Sequence, residues 1–283
     1  MINHDFYNFT DSPRRYRLRD FAGSNQGYNG KNRRRRDYGK VAVQTEFFED
    51  LPEAAAVKFV IRRNDSVVAW KIVKASEAKE VVFDIADPEL WDIGKPELYT
   101  VSVGTDNDFY ETAFGIRKVS YDEKGLYIND RPVYLKGFGM HEDFLFSAKA
   151  SSAVNVKSFE LLKWINANSV RTSHYPYAEE IYDLADRYGI LVIDEVPAVG
   201  MNHWEPTFAE GRADEQTLAL HKKTLSLLIE RDKNHPCVVM ISVANEAATY
   251  EDGAREYFKN RESHAFAYRS ADYKSGGNEI RRR

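Results

Sequence analysis

With 283 residues, 43% of them hydrophobic, 30% charged and 13% aromatic, the chain is long enough for about two globular domains and too apolar for a disordered one. A net charge of −4 gives no general attraction to nucleic acid, and a lone cysteine, Cys237, leaves no internal disulfide to form and fits a cytoplasmic location. No run of about 18 apolar residues suggests a membrane span, and the first residues carry no signal-peptide pattern.

Residues 1–20, which include NHDFYNF at 3–9, begin as though in mid-strand. The stretch NQGYNGKNRRRRDYG at 25–39 holds four consecutive arginines, Arg33 to Arg36. On a chain of net negative charge these read as a solvated loop, and no nucleic-acid partner is expected. From about Tyr38 to Val119 apolar and polar residues alternate with period two in six short runs: 39–48, 55–63, 66–73, 79–85, 97–104 and 109–119. Turn-like segments such as RNDS and TDND separate them, which is how an antiparallel β-sandwich reads.

The rhythm then changes. Residues 154–168 have the spacing of an amphipathic helix, SVRTSHYP is a strand with its exit loop, and 178–189 predicts a second helix closed by Gly189. ILVIDEVPAVG at 190–200 is an apolar strand, residues 214–236 predict a longer helix stopped by Pro236, and CVVMISVANE at 237–246 is a further strand. Apolar strands alternating with helices imply parallel β/α units whose sheet is covered on both faces.

In such folds the reactive groups gather at the C-terminal ends of the strands. The four ends here are GFGMHED, RTSHYP, IDEVP and ANEA. They deliver His141, Glu142 and Asp143; Arg171 and His174; Asp194 and Glu195; Asn245 and Glu246. One acid at a strand end is more often a helix cap or a solvated charge. Four ends all carrying polar or ionisable groups point to a site. Ligand spacings such as HExxH or CxxC are absent, as are GxGxxG and GxxxxGK[ST], so neither a metal nor a nucleotide cofactor is expected.

YLKGFGMHEDF, the long run from Leu161 to Gly200, ERDKNHPCVVMISVANE and GAREYF together resemble glycoside hydrolase family 2, and most closely its β-glucuronidase branch. The resemblance implies a multidomain β plus α/β chain. Residues 1–20 are expected to be the remnant of an N-terminal jelly-roll domain, 21–116 an immunoglobulin-like β-sandwich, and 117–259 the first half of a (β/α)8 TIM barrel. Residues 260–283 depart from the family pattern and are expected to be a disordered tail.

The resemblance further implies a retaining hydrolase of terminal β-D-glucuronides, with Glu246 as general acid/base. Asn245 would bind the sugar 2-hydroxyl, His141 and Asp5 the substrate, and Arg171 and His174 would line and brace the pocket. A carboxyl at the end of an apolar strand is partly desolvated, which suits proton donation, and a second carboxyl about 5 Å away is needed as nucleophile. In the family that nucleophile lies on a later strand, so this chain is expected to lack it and to be inactive alone. Glu195, one strand from Glu246, is the best candidate within the chain for a substitute. Ile241 stands where the family commonly has Trp, and Ala247 where it commonly has Pro. A β-galactosidase-type hydrolase, or a non-catalytic carbohydrate-binding fragment, is the alternative. No membrane partner is expected, and the family's habit of forming homo-oligomers carries over as an expectation.

Overall fold

The computed structural model describes residues 16–25, 38–47, 51–106, 108–142, 151–199 and 214–246. Asp5, Asp143, Ala247 and the tail at 260–283 lie outside them. The first seven strands are β1 (Tyr16–Asn25), β2 (Tyr38–Phe47), β3 (Ala56–Arg63), β4 (Ser66–Lys74), β5 (Glu80–Ala86), β6 (Tyr99–Gly104) and β7 (Phe109–Phe114). They form two antiparallel sheets, ordered β1-β2-β5 and β4-β3-β6-β7. The six runs with period two are β2 to β7.

Alternation decides which face is buried. Val41 and Val43 of β2, Val57, Phe59 and Ile61 of β3, Val81, Phe83 and Ile85 of β5, and Val101 and Val103 of β6 all point between the sheets, forming one core with Tyr99, Phe114 and Ile116. The border expected at residue 20 falls inside β1. Tyr16, Arg17 and Leu18 pair with Phe47, Glu46 and Thr45, and beyond a bulge Phe21 to Asn25 pair with Val43 to Gly39. Residues 16–20 therefore belong to the sandwich sheet, because the ladder runs on across the bulge.

A small antiparallel sheet follows, made of β8 (Val119–Asp122), β9 (Gly125–Ile128) and β10 (Arg131–Val133) in the order β10-β9-β8. Next come β11 (Gly137–Met140), α1 (Ser152–Trp164), β12 (Ser169–Thr172), α2 (Glu179–Tyr188), β13 (Leu191–Glu195), α3 (Glu215–Asp232) and β14 (Val238–Ser242). The last four strands form a parallel sheet ordered β11-β12-β13-β14. Val170, Leu191, Val192 and Val238 of this sheet share a core with Phe159 of α1, Ile181 and Ala185 of α2, and Leu126 and Ile128 of β9.

The helix ends follow ordinary capping chemistry. Asp214 precedes α3, and its Oδ1 accepts from the Thr217 backbone N–H at 3.0 Å, which holds the Asp214 carboxyl below its usual range. Gly189 ends α2 at φ +66°, and a Cβ there would lie 2.7 Å from the Gly94 nitrogen. Both the left-handed backbone and the close approach require glycine.

That approach belongs to a joint between the sandwich and the N-terminal end of the parallel sheet. Trp91, from the loop between β5 and β6, is fully buried among the β/α residues and donates its indole N–H to the Asp186 carbonyl at 2.8 Å. Burial of a side chain of this size stabilises by about 2–3 kcal/mol. Arg117, between β7 and β8, donates to the carbonyls of Pro236, His235 (3.3 Å) and Val238 (2.8 Å). Asp92 accepts from Asn129 Nδ2 at 2.9 Å and pairs with Arg131.

Candidate functional site

Parallel register assigns the side chains at the other end of the sheet. Arg171 of β12 lies beside Ile193 of β13, and Asp194 and Glu195 beside Ile241 and Ser242 of β14. Successive strand residues face opposite sides, so Arg171, Ile193, Glu195 and Ser242 share one face, and Thr172, Asp194 and Ile241 share the other. The two adjacent acids are thereby sent into different surroundings.

Glu195 is fully buried. Its Oε2 accepts from Arg171 Nε at 2.7 Å and its Oε1 from Arg171 Nη2 at 2.6 Å, a bidentate fork, while His174 Nδ1 lies 3.2 Å from Oε2. Arg171 Nη2 also donates to Asn245 Oδ1 at 3.2 Å. The Asn245 N–H bonds the Ala198 carbonyl at 2.8 Å, tying the end of β14 to the loop after β13. The rings of His141 and His174 meet edge to face with centroids 6.0 Å apart, and Tyr175 lies 6.4 Å from His141. Residues from all four strand ends thus gather in one place.

Glu246 follows Asn245 with a left-handed backbone, φ +52°, and is exposed to solvent. The expected partial desolvation of this carboxyl is not found, because among the described residues β14 has a neighbouring strand on one side only. Glu195 is unsuited to the role of substitute nucleophile, since no solvent reaches it and both its oxygens are engaged by Arg171. Glu142 takes no part in the cluster. Its N–H donates to the Tyr175 hydroxyl at 3.0 Å, and its Oε2 accepts the Ala178 N–H at 3.2 Å at the start of α2. Ile241 packs with Val196, Leu225 and Leu228 under α3, so this departure from the family lies on the helix side of the sheet.

Asp194 is likewise buried, where a lone strand-end acid would be a cap or a solvated charge. Its Oδ1 accepts from the Tyr182 hydroxyl (2.7 Å), the Thr172 hydroxyl (3.2 Å) and the Glu195 backbone N–H (2.9 Å). Its Oδ2 is buried and has no donor among the described residues. Burial, and then the negative charge of Asp232 on α3, push the Asp194 carboxyl up to about 7. Protonation of Asp194 removes the negative charge that this oxygen would otherwise carry in a buried place. Arg231 grips Asp232 through two bonds of 2.7 Å and lies over the Tyr182 ring.

A second group of ionisable residues, Asp186, His235 and Cys237, sits at the opposite end of the sheet with candidate ligand atoms within 4.8 Å of one another. Sequence reasoning missed it, since the chemistry joins residues about fifty positions apart. Asp186 Oδ2 is 2.7 Å from His235 Nδ1, and Oδ1 accepts the Cys237 N–H at 2.9 Å. Burial pulls the imidazole of His235 down, but Asp186, together with the charges of Asp232 and Asp183, raises the ring above its usual value. Burial lifts the Cys237 thiol well above its ordinary range, and its Sγ donates to the Tyr182 carbonyl at 3.6 Å. A metal ligand has to be a thiolate with free lone pairs around it. This set is a self-satisfied hydrogen-bonded knot and does not fit a metal ion.

Comparison with known proteins gives the architecture a family. Residues 119–272 match the TIM barrel domain of the glycosyl hydrolases of family 2, and residues 32–117 match a further family 2 domain. The chain belongs to glycoside hydrolase family 2. Family 2 relatives include a β-glucuronidase of Paenibacillus borealis, 51% identical over 185 residues, which are 62% of this chain and 31% of the relative. Another, from Streptococcus agalactiae, is 38% identical over 239 residues, 77% of this chain and 40% of the relative. The solved β-D-glucuronidase of Dictyoglomus thermophilum superposes with a TM-score of 0.75 at 42% identity, covering 87% of this chain and 41% of that one. The family 2 chain described here therefore spans about a third to two-fifths of the length of these relatives. Among the described residues no helix is long and apolar enough to cross a membrane.

Proposed function

We propose that this chain carries the acid/base side of a β-glucuronidase site. Glu246 protonates the leaving oxygen of a terminal β-D-glucuronide, Asn245 and His141 hold sugar hydroxyls, and Arg171 and His174 brace the wall. Asp5, outside the described residues, is assigned a sugar contact by the family resemblance alone. Residues 117–259 are read as the first half of a (β/α)8 barrel.

The observation that carries this reading is the convergence of Arg171, His174 and Asn245 at the C-terminal end of a parallel sheet, with Glu246 next in the chain. Retaining hydrolysis needs a second carboxyl about 5 Å from the acid/base. Glu195 does not supply it, being held by Arg171, so the nucleophile is assigned to a part of the enzyme beyond the described residues, and the described part contributes sugar binding and proton transfer.

Calorimetric titration of the chain with D-glucuronic acid, and with galactose for the β-galactosidase-type alternative, tests the reading. Heat from glucuronic acid and none from galactose is the expected result. No heat from glucuronic acid, or equal heats from both, would overturn it. With 4-nitrophenyl β-D-glucuronide as substrate, Glu246→Gln is expected to abolish whatever hydrolysis the unsubstituted protein supports, and full retention of activity would remove Glu246 from the mechanism.

A further inference from the structure

We infer that Glu195 is a positioning residue, which through Arg171 and His174 sets the hydrogen-bonding sense of the sugar-facing groups. This deepens the proposed function and rests on it for the identity of the ligand.

An arginine guanidinium can only donate, and a carboxylate can only accept. The two bonds from Arg171 to Glu195, 2.7 and 2.6 Å, lock the guanidinium plane. The same Nη2 then points at Asn245 at 3.2 Å. Because Arg171 offers no acceptor, the group of Asn245 facing it has to be Oδ1. The amide NH2 is thereby turned away from Arg171 and offered as a donor. His174 is fixed by the same logic. Glu195 Oε2 accepts at 3.2 Å, so Nδ1 carries the hydrogen, and in the neutral ring Nε2 is left as an acceptor. One buried carboxylate thus dictates a donor on Asn245 and an acceptor on His174, a pair suited to neighbouring hydroxyls of a sugar.

The register shows why this acid and not its neighbour does so. Arg171 is level with Ile193, two residues before Glu195 on the same face, within reach of a guanidinium, whereas Asp194 faces α2 and α3. Full burial of Glu195 against a partner that is about one-third exposed, 0% against 34%, makes the carboxylate the fixed member and Arg171 the member it holds.

A double-mutant cycle on glucuronic acid binding by the chain tests the relay. Glu195→Gln and Arg171→Lys are each expected to weaken binding at least tenfold, with the double variant no weaker than the worse single one, because both break the same linkage. Additive losses would overturn the relay. A second readout does not depend on sugar binding. The Arg171 Nε–H should give a slowly exchanging NMR signal in the unsubstituted chain that is lost in Glu195→Gln, and persistence of that signal would sink the proposal even if glucuronic acid binds. Failure of glucuronic acid to bind, with the signal behaving as expected, would instead count against the proposed substrate alone. If Glu195→Gln does not fold, Arg171→Lys carries the test: the Asn245 side-chain amide resonances should shift, and unchanged resonances would contradict the linkage.

Discussion

The two ends of the parallel sheet use the same kinds of residue for opposite purposes. At the N-terminal end Asp186 bonds both His235 and the Cys237 N–H, and Arg117 donates to nearby backbone carbonyls. At the C-terminal end Arg171, His174 and Asn245 are held from behind by Glu195 while remaining partly open to solvent. The lesson is that a cluster of ionisable residues is informative for function according to what is left unengaged, and not according to its composition.

Substitutions should therefore split into those that cost stability and those that cost binding. The largest effect is expected at the closed end. Asp186→Ala removes the acceptor of both His235 and the buried Cys237 N–H, and should lower unfolding free energy by about 3–5 kcal/mol in urea titration, without altering sugar affinity in the protein that remains folded. A change in affinity matching the loss of stability would erase the distinction between the ends.

Asp194 lies between the two regimes, on the helix side of the strand that carries Glu195. Its native carboxyl, raised to about 7, holds its proton where an unfolded aspartate has lost it. Between about pH 4 and pH 7 the native state binds more protons, so this contribution is full below about pH 4 and is lost as pH rises through about 7. Asp194→Asn keeps the Oδ1 acceptor and should flatten that decline, which is on the order of a few kcal/mol across the window. An unchanged slope of thermal midpoint against pH would show that Asp194 is ionised in the native protein. The smallest effect on stability is expected at the open end. Asn245→Ala should change unfolding free energy by less than about 1 kcal/mol yet weaken glucuronic acid binding at least tenfold, and a large stability loss with intact binding would invert the comparison.

Much of this was legible in the sequence, for reasons that can be stated residue by residue. Strands β2 to β7 showed their alternation because one face of each is buried, and the strand ends named His141, Arg171, His174, Glu195 and Asn245 because parallel β/α units expose those ends. Strand β1, YRLRDFAGSN, was hidden by charged residues and by a bulge that interrupts its period. The three strands β8 to β10 are three or four residues long, too short for a period to appear. The opposite fates of Asp194 and Glu195 follow from strand alternation, but which face is which depends on the register with β12. The Asp186–His235–Cys237 knot needs α2 and the start of β14 brought together, and no local pattern announces that.

The Arg117 guanidinium, bonded to the carbonyls of His235, Pro236 and Val238 beside the buried Trp91, couples the two halves of the described chain. A hinge between domains is made of a few exposed residues that change their backbone angles freely, and here the short connection is instead riveted to the sheet it introduces. Sandwich and parallel sheet are thereby tied at this joint, at the opposite end of the sheet from Arg171, His174 and Asn245.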